Sequence, residues 1–208
     1  MLPAQLPLFP LARAVLFPRT FLPLHIFEPR YQELTRDILA THHHLLLALA
    51  VDAEAQEPLP EEAAFHPIGT LARIVRAEPL VDGRWNLLLQ GIQAVNITEA
   101  GKVAAYRAGR FEGFAFESGS PWTGVEREGF FRVLEAYGEQ FRIQAQIRDL
   151  LGMGLDEDVL LFTLAQALEF EPIERQFLLE SASLATLASR LQDLMRFSSA
   201  NRHLPELH

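Results

Sequence analysis

His42, His43 and His44 are the residues of this 208-residue chain whose type is best suited to holding a metal. Neighbours on a helix point about 100° apart and neighbours on a strand face opposite sides, so the three rings cannot readily converge on one ion. A metal site also needs partners from elsewhere to orient its ligands. The chain has no cysteine, which excludes disulfides, thiolate nucleophiles and Cys-based zinc sites. We expect no metal and no cofactor, and read the triplet as a polar junction between a helix and a strand.

Catalytic constellations are equally sparse. The single lysine, Lys102, follows Gly101 in a turn with no serine nearby in sequence, whereas an activated nucleophile requires a base within hydrogen-bond reach. His25 and His66 are flanked by apolar residues and proline, the setting of a hydrogen-bonded structural histidine rather than a general base. Glu28, Arg30 and Tyr31 form a compact trio. The simplest reading is a first-turn acid complementing a helix dipole beside an arginine that bonds loop carbonyls. Glu54, Glu57, Glu61 and Glu62 read as a solvated loop. No G-x-x-x-x-G-K-[ST] run exists to cradle phosphates, and no carboxylate pair stands out for acid–base work. The chain is not expected to be an enzyme.

These residues must be positioned by elements that the apolar pattern defines. Leu6 to Tyr31 reads LPLFPLARAVLFPRTFLPLHIFEPRY, with prolines at 7, 10, 18, 23 and 29. Proline fixes φ and offers no N–H, so the stretch cannot be one helix, and the strands it interrupts are expected at edges. Phe9, Leu11, Val15, Leu16, Phe17, Phe21, Leu22, Leu24, Ile26 and Phe27 are expected in the core, each worth about 1.5–3 kcal/mol if fully buried. Helical spacing follows over Tyr31, Leu34, Thr35, Ile38 and Leu39, with Pro29 at a first-turn position. The unbroken run His44 to Val51 predicts a buried strand. Further strands are expected at 68–76, 85–89, 92–98 and 103–116, with Asp82-Gly83 as a type I′ hairpin turn and Gly91 as a break. Beyond Pro121 the spacing is helical, with weak points at Gly129 and Gly138 and a break at residues 151–154. Asp156 and Pro172 open further helices, and Leu184, Leu187, Leu191 and Leu194 form the stripe of a last one.

The net charge of −9 is uneven: ten basic and twelve acidic residues lie through Phe116, eight and fifteen from Glu117 onward. Nucleic-acid affinity rests on neutralising phosphates, so nucleic acid is disfavoured, most of all in the second half. No run approaches the ~18 apolar residues of a membrane span, and the N-terminus lacks a basic region ahead of its proline-broken apolar part. We expect a cytoplasmic protein with no membrane contact.

The leader resembles the opening of the Lon protease N-terminal domain family, which runs LP-x-FPL, VLFP and PL-x-IFE-x-RY. The matching residues are Leu6 to Leu11, Val15 to Pro18, and Pro23 to Tyr31. Gly69-Thr70-Leu71-Ala72-Arg73-Ile74, the Asp82-Gly83 turn, the strand ending at Gly91, and the later PIERQFLLE and SRLQDL segments resemble the family as well. Three positions depart from its pattern. Arg19 stands where the family has glycine, which suggests a different turn, and Ala94 and Val95 stand where it tends to have arginine and phenylalanine.

The resemblance implies an α+β fold: a PUA-like small β-barrel with one inserted helix over residues 1–118, then a C-terminal helical bundle over 119–208. It implies a stand-alone, non-catalytic module that recognises unfolded or extended polypeptide, in company with a protease or chaperone component. The family joins this module to an ATPase and a Ser–Lys peptidase, and this sequence carries the motifs of neither. Proline-bearing strands leave edges and apolar grooves where an extended peptide can dock, which makes Phe17, Pro18, Phe21, His25 and Phe27 the contact candidates. Two rivals stay open: an RNA-binding PUA-like protein using Arg73, Arg76, Arg84, Arg107 and Arg110, or an enzyme acting on a small molecule. The natural partner and the oligomeric state are left open.

Overall fold

The structure, a computed structural model, describes residues 2–51, 58–117 and 119–201. Among the described residues, six strands and six helices fall into two compact units, one within 1–114 with 171–179, the other within 115–170 with 180–208.

The first unit is a mixed six-stranded sheet in the order β2-β5-β4-β3-β1-β6, with an additional β5–β6 pairing. The strands are β1 (Gln5–Leu11), β2 (Phe21–Ile26), β3 (His44–Leu49), β4 (Ile68–Pro79), β5 (Trp85–Val103) and β6 (Tyr106–Gly113). The second pairing closes β5, β4, β3, β1 and β6 into a barrel-like ring. β2 lies outside it, against the first half of β5.

β1 corrects the expectation that prolines keep a strand at an edge, because it runs between β3 and β6. Its residues 5–8 pair with β6 and residues 8–11 with β3, so the ladders share only Leu8. Each half has a neighbour on one side alone, which leaves Pro7 and Pro10 room to turn their missing N–H toward the unpaired side.

β3 is apolar without interruption because both of its faces are covered. Leu45 and Leu47 join Phe9, Leu34, Ile38, Ile74 and Leu89 in one core cluster, and Leu46 and Ala48 join Leu6, Leu8, Leu71, Val95 and Ile97 in another. Helix α1 (Pro29–Leu39) lays Tyr31, Leu34, Thr35 and Ile38 on the first of these, with Pro29 in its first turn.

The connections depart from the sequence reading in three places. In the hairpin after β4, the Leu80 carbonyl accepts the Gly83 N–H at 3.1 Å and the Leu80 N–H donates to the Arg84 carbonyl at 2.8 Å. Only Gly83 in this loop has positive φ, 84°. A type I′ turn needs two such residues, so the loop is instead a three-residue connection with glycine in the left-handed position. Gly91 does not end a strand; β5 continues through it. The 17–20 turn crosses β5 there so closely that a Cβ would lie 2.1 Å from the Phe17 carbonyl oxygen. Arg19, in place of glycine, adopts the left-handed conformation itself, with φ of 61°.

α5 (Pro172–Leu179) belongs to the first unit, where the Gln176 side chain donates to the Ile68 carbonyl at 2.9 Å. The second unit holds α2 (Gly124–Phe141), α3 (Gln144–Gly152), α4 (Glu157–Ala167) and α6 (Leu184–Asn201). α2 packs on α3 and α6, and α4 on α6. α2 runs unbroken through Gly129 and Gly138. The chain breaks at Arg142, which has φ of 59°, and Gly138 admits the Ile147 side chain, whose Cδ1 would stand 2.7 Å from an added Cβ. The α6 stripe is Leu184, Leu187, Leu191 and Met195, with Leu194 only half-buried.

Candidate functional site

β2 alternates half-buried or buried Leu22, Leu24 and Ile26 with exposed Phe21, Pro23 and His25. It pairs antiparallel with β5 in the register Phe21 to Gln90 through Ile26 to Trp85. The Gly91 N–H donates to the Thr20 carbonyl, which sets the alternation. Leu22, Leu24 and Ile26 turn their backbone groups to β5, and Phe21, Pro23 and His25 turn theirs to the free edge. Proline is tolerated in this strand because its missing N–H falls on that edge. The same absence interrupts the ladder that an added strand would need, so the side chains are what β2 offers a partner.

Beside β2 opens a cleft of about 280 Å³ lined by residues 9–12 and 23–28 with Tyr31 and Leu59. Its walls are fixed by specific contacts. The Phe9 and Tyr31 rings stack at 3.9 Å. Arg30 lies over the Tyr31 ring, pairs with Glu28 at 2.8 Å and donates to the Leu59 carbonyl at 2.7 Å. Arg30 thus bonds a loop carbonyl as expected, whereas Glu28 stands at the N-cap of α1 rather than in its first turn. The His25 ring contacts Asn86 Oδ1 at 2.8 Å and Arg84 at 3.3 Å, and stacks toward Phe27 at 6.4 Å. Apolar walls with a few oriented polar groups suit binding, and Glu28, the carboxylate lining the cleft, is held by Arg30.

The five sequence candidates separate by burial. Phe17 and Pro18 lie in the core, out of reach of a partner. Phe21 and Phe27, expected to be buried, are 51% and 46% exposed, and His25 is exposed between them. Phe9, Pro23, Tyr31 and Leu59 join the site although the sequence reading passed over them as contacts. The alternation in FLPLHIF was the available signal for Pro23; nothing local marks Leu59.

The remaining chemical candidates are scattered. His42 and His44 bond each other's backbone and ring atoms across His43, with their ring centroids 6.3 Å apart. Burial, followed by the two neighbouring imidazoles, lowers the His42 pKa. Among the described residues, no group of three or more His, Cys, Asp and Glu is placed to hold a metal. Lys102 pairs with Glu61, and that hydrogen bond holds the Glu61 carboxyl below its usual value. Glu54 and Glu57 lie outside the described residues. Of the five arginines, Arg107 is 8% exposed and forks onto Glu99 at 2.6 and 2.7 Å. Arg84 pairs with Asp82 and Arg76 lies 3.9 Å from Glu78. Among the described residues, no helix is long and apolar enough to cross a membrane.

Residues 5–196 match a family model described as the ATP-dependent protease La (LON) substrate-binding domain. Among curated proteins, the Lon protease of Anaeromyxobacter dehalogenans is 29% identical over 111 residues, 53% of this chain and 13% of that protein. Lon protease 2 of Bdellovibrio bacteriovorus is 29% identical over 163 residues, 77% of this chain and 19% of that protein. The chain thus spans less than a fifth of the length of these relatives. Two solved structures share the fold. A Lon N-terminal domain protein from Xanthomonas campestris aligns over 93% of this chain and 98% of its own, with a TM-score of 0.59 and 22% identity. The N-terminal domain of the Mycobacterium avium complex Lon protease aligns over 96% and 100%, with a TM-score of 0.69 and 17% identity.

Proposed function

Because the chain belongs to the Lon substrate-binding domain family, we propose that it is a non-catalytic recognition module for unfolded or extended polypeptide. The observation that carries this reading is the exposure of Phe21 and Phe27 on either side of Pro23 and His25, with Pro23, His25 and Phe27 lining the cleft. Large aromatic side chains left half in water at a concave site are the usual anchors of a protein contact. Residues 1–118 then supply a PUA-like barrel and 119–208 a helical bundle, of which α5 serves the first unit. The module works in the cytoplasm alongside a protease or chaperone component. Arginines tied to Glu99 and Asp82 favour this reading over a phosphate-binding surface.

Titration of the protein into a labelled, permanently unfolded model protein tests the proposal. Saturable binding at tens of micromolar or tighter is expected, weakened when Phe21 and Phe27 are both replaced by serine. Absence of saturable binding removes the proposal.

A further inference from the structure

The outward face of β2, β5 and β4 forms an ordered array that the register lays out row by row. Phe21 stands opposite Gln90, which stands opposite Arg73; Pro23 opposite Leu88, opposite Arg76; His25 opposite Asn86, opposite Glu78. Residues opposite one another across a ladder point to the same side. This face therefore carries an apolar and aromatic column on β2 and an arginine pair two strands away on β4. Phe21, Pro23, His25, Arg73 and Arg76 are all exposed.

The charge of this region opposes that of the chain. Residues 19–27 and 68–93 hold four arginines, at 19, 73, 76 and 84, against two carboxylates, Glu78 and Asp82, in a protein of net charge −9. The Arg73 guanidinium reaches only Gln90, at 3.1 Å, and Arg76 lies 3.9 Å from Glu78 with both side chains more than half exposed. Glu78 thus stands beyond hydrogen-bond distance of Arg76, and the Arg73 guanidinium bonds an amide.

Resting on the polypeptide-binding reading above, we propose that this face selects extended segments in which an aromatic or large apolar residue lies near an acidic one. The apolar residue packs on Phe21 and Pro23, and the carboxylate reaches Arg73 and Arg76. Two strand spacings separate the columns, about 10 Å, which an extended chain covers in about three residues at ~3.3 Å each. The recognised pattern is therefore an apolar residue with Asp or Glu about three positions away. Pro23 on the free edge favours side-chain docking across the face over addition of a strand.

The test uses the full chain and three labelled peptides that share one apolar core, with aspartate, glutamine or lysine three residues from the aromatic position, and a single-stranded RNA for comparison. Fluorescence anisotropy at low and moderate salt is expected to rank aspartate over glutamine over lysine. The aspartate peptide should bind about fivefold more tightly than the glutamine one, as two solvent-exposed ion pairs allow, and the margin should shrink as salt is raised. Replacing Arg73 and Arg76 together by glutamine should erase the margin and leave the glutamine peptide's affinity unchanged. Equal binding of all three peptides overturns the selectivity while leaving the polypeptide reading standing. Absence of binding by any peptide overturns both. RNA binding more tightly than every peptide assigns the face to nucleic acid and overturns the inference.

Discussion

The carbonyl oxygen of Phe17 occupies the space above Gly91 that any other residue's Cβ would need, 2.1 Å from its ideal position. The crossing is fastened on both sides: the Arg19 N–H donates to the Gly91 carbonyl at 2.8 Å, and the Gly91 N–H to the Thr20 carbonyl at 3.0 Å. The turn that launches β2 is thus held on the middle of β5 by two backbone hydrogen bonds. Gly91→Ala must displace one of the two chains and should cost about 2 kcal/mol or more, read as a lowered urea midpoint. An unchanged midpoint would show that the crossing is loose.

Arg19 sits in the same turn at φ of 61°. A left-handed backbone costs an L-residue about 1–2 kcal/mol, while glycine adds unfolded-state freedom worth about 0.4–1 kcal/mol. Arg19→Gly is therefore expected to stabilise the protein by about 0.5–1 kcal/mol. A valine there, stiff at its branched Cβ, should do the reverse.

Phe17 and Phe21 are four residues apart with opposite fates. Phe17→Ala opens the core and should cost about 3–5 kcal/mol of stability. Phe21→Ser removes a half-exposed ring and should leave the thermal midpoint nearly unchanged, while weakening capture of unfolded protein about tenfold, or about 1.4 kcal/mol. A Phe21→Ser protein that binds as well as the parent would move the contact elsewhere.

Acid should loosen the first unit through Glu99. Its hydrogen bond from Arg107 holds the carboxyl below its ordinary value of 4.5. The folded value is lower than the unfolded one, so the stabilisation is complete above 4.5 and is lost as pH falls through the depressed folded value. Glu99→Gln should flatten the pH dependence of the denaturation midpoint in that window. Arg107→Ala should cost about 2–3 kcal/mol, below the range for a fully buried pair because Glu99 is partly solvated. It also strips the Ala63 carbonyl of its 2.6 Å donor.

Much of the fold was legible because its signals are local. The run at His44 reads as a strand covered on both faces, and α1 follows from Pro29 and the spacing of Tyr31, Leu34, Thr35 and Ile38. The loop-carbonyl bond of Arg30 was legible as well, since an arginine at the start of a helix has loop carbonyls within reach. What escaped depends on pairing across long sequence separations. Nothing near Pro7 or Pro10 announces that β1 changes partners at Leu8. Gly91 looks like a strand break until Phe17 is placed on it. The site followed the same rule: the aromatic residues of the leader were identified, but their division into core and surface depends on which face of the β2–β5 ladder covers the core. That depends in turn on residues 85–90.

The placement of α5 carries a consequence for the order of synthesis. Residues 171–179 complete a unit whose other members all lie before residue 115, and Gln176 supplies a donor to Ile68. As the chain leaves the ribosome, the sheet must wait, one helix short, until more than fifty intervening residues have emerged.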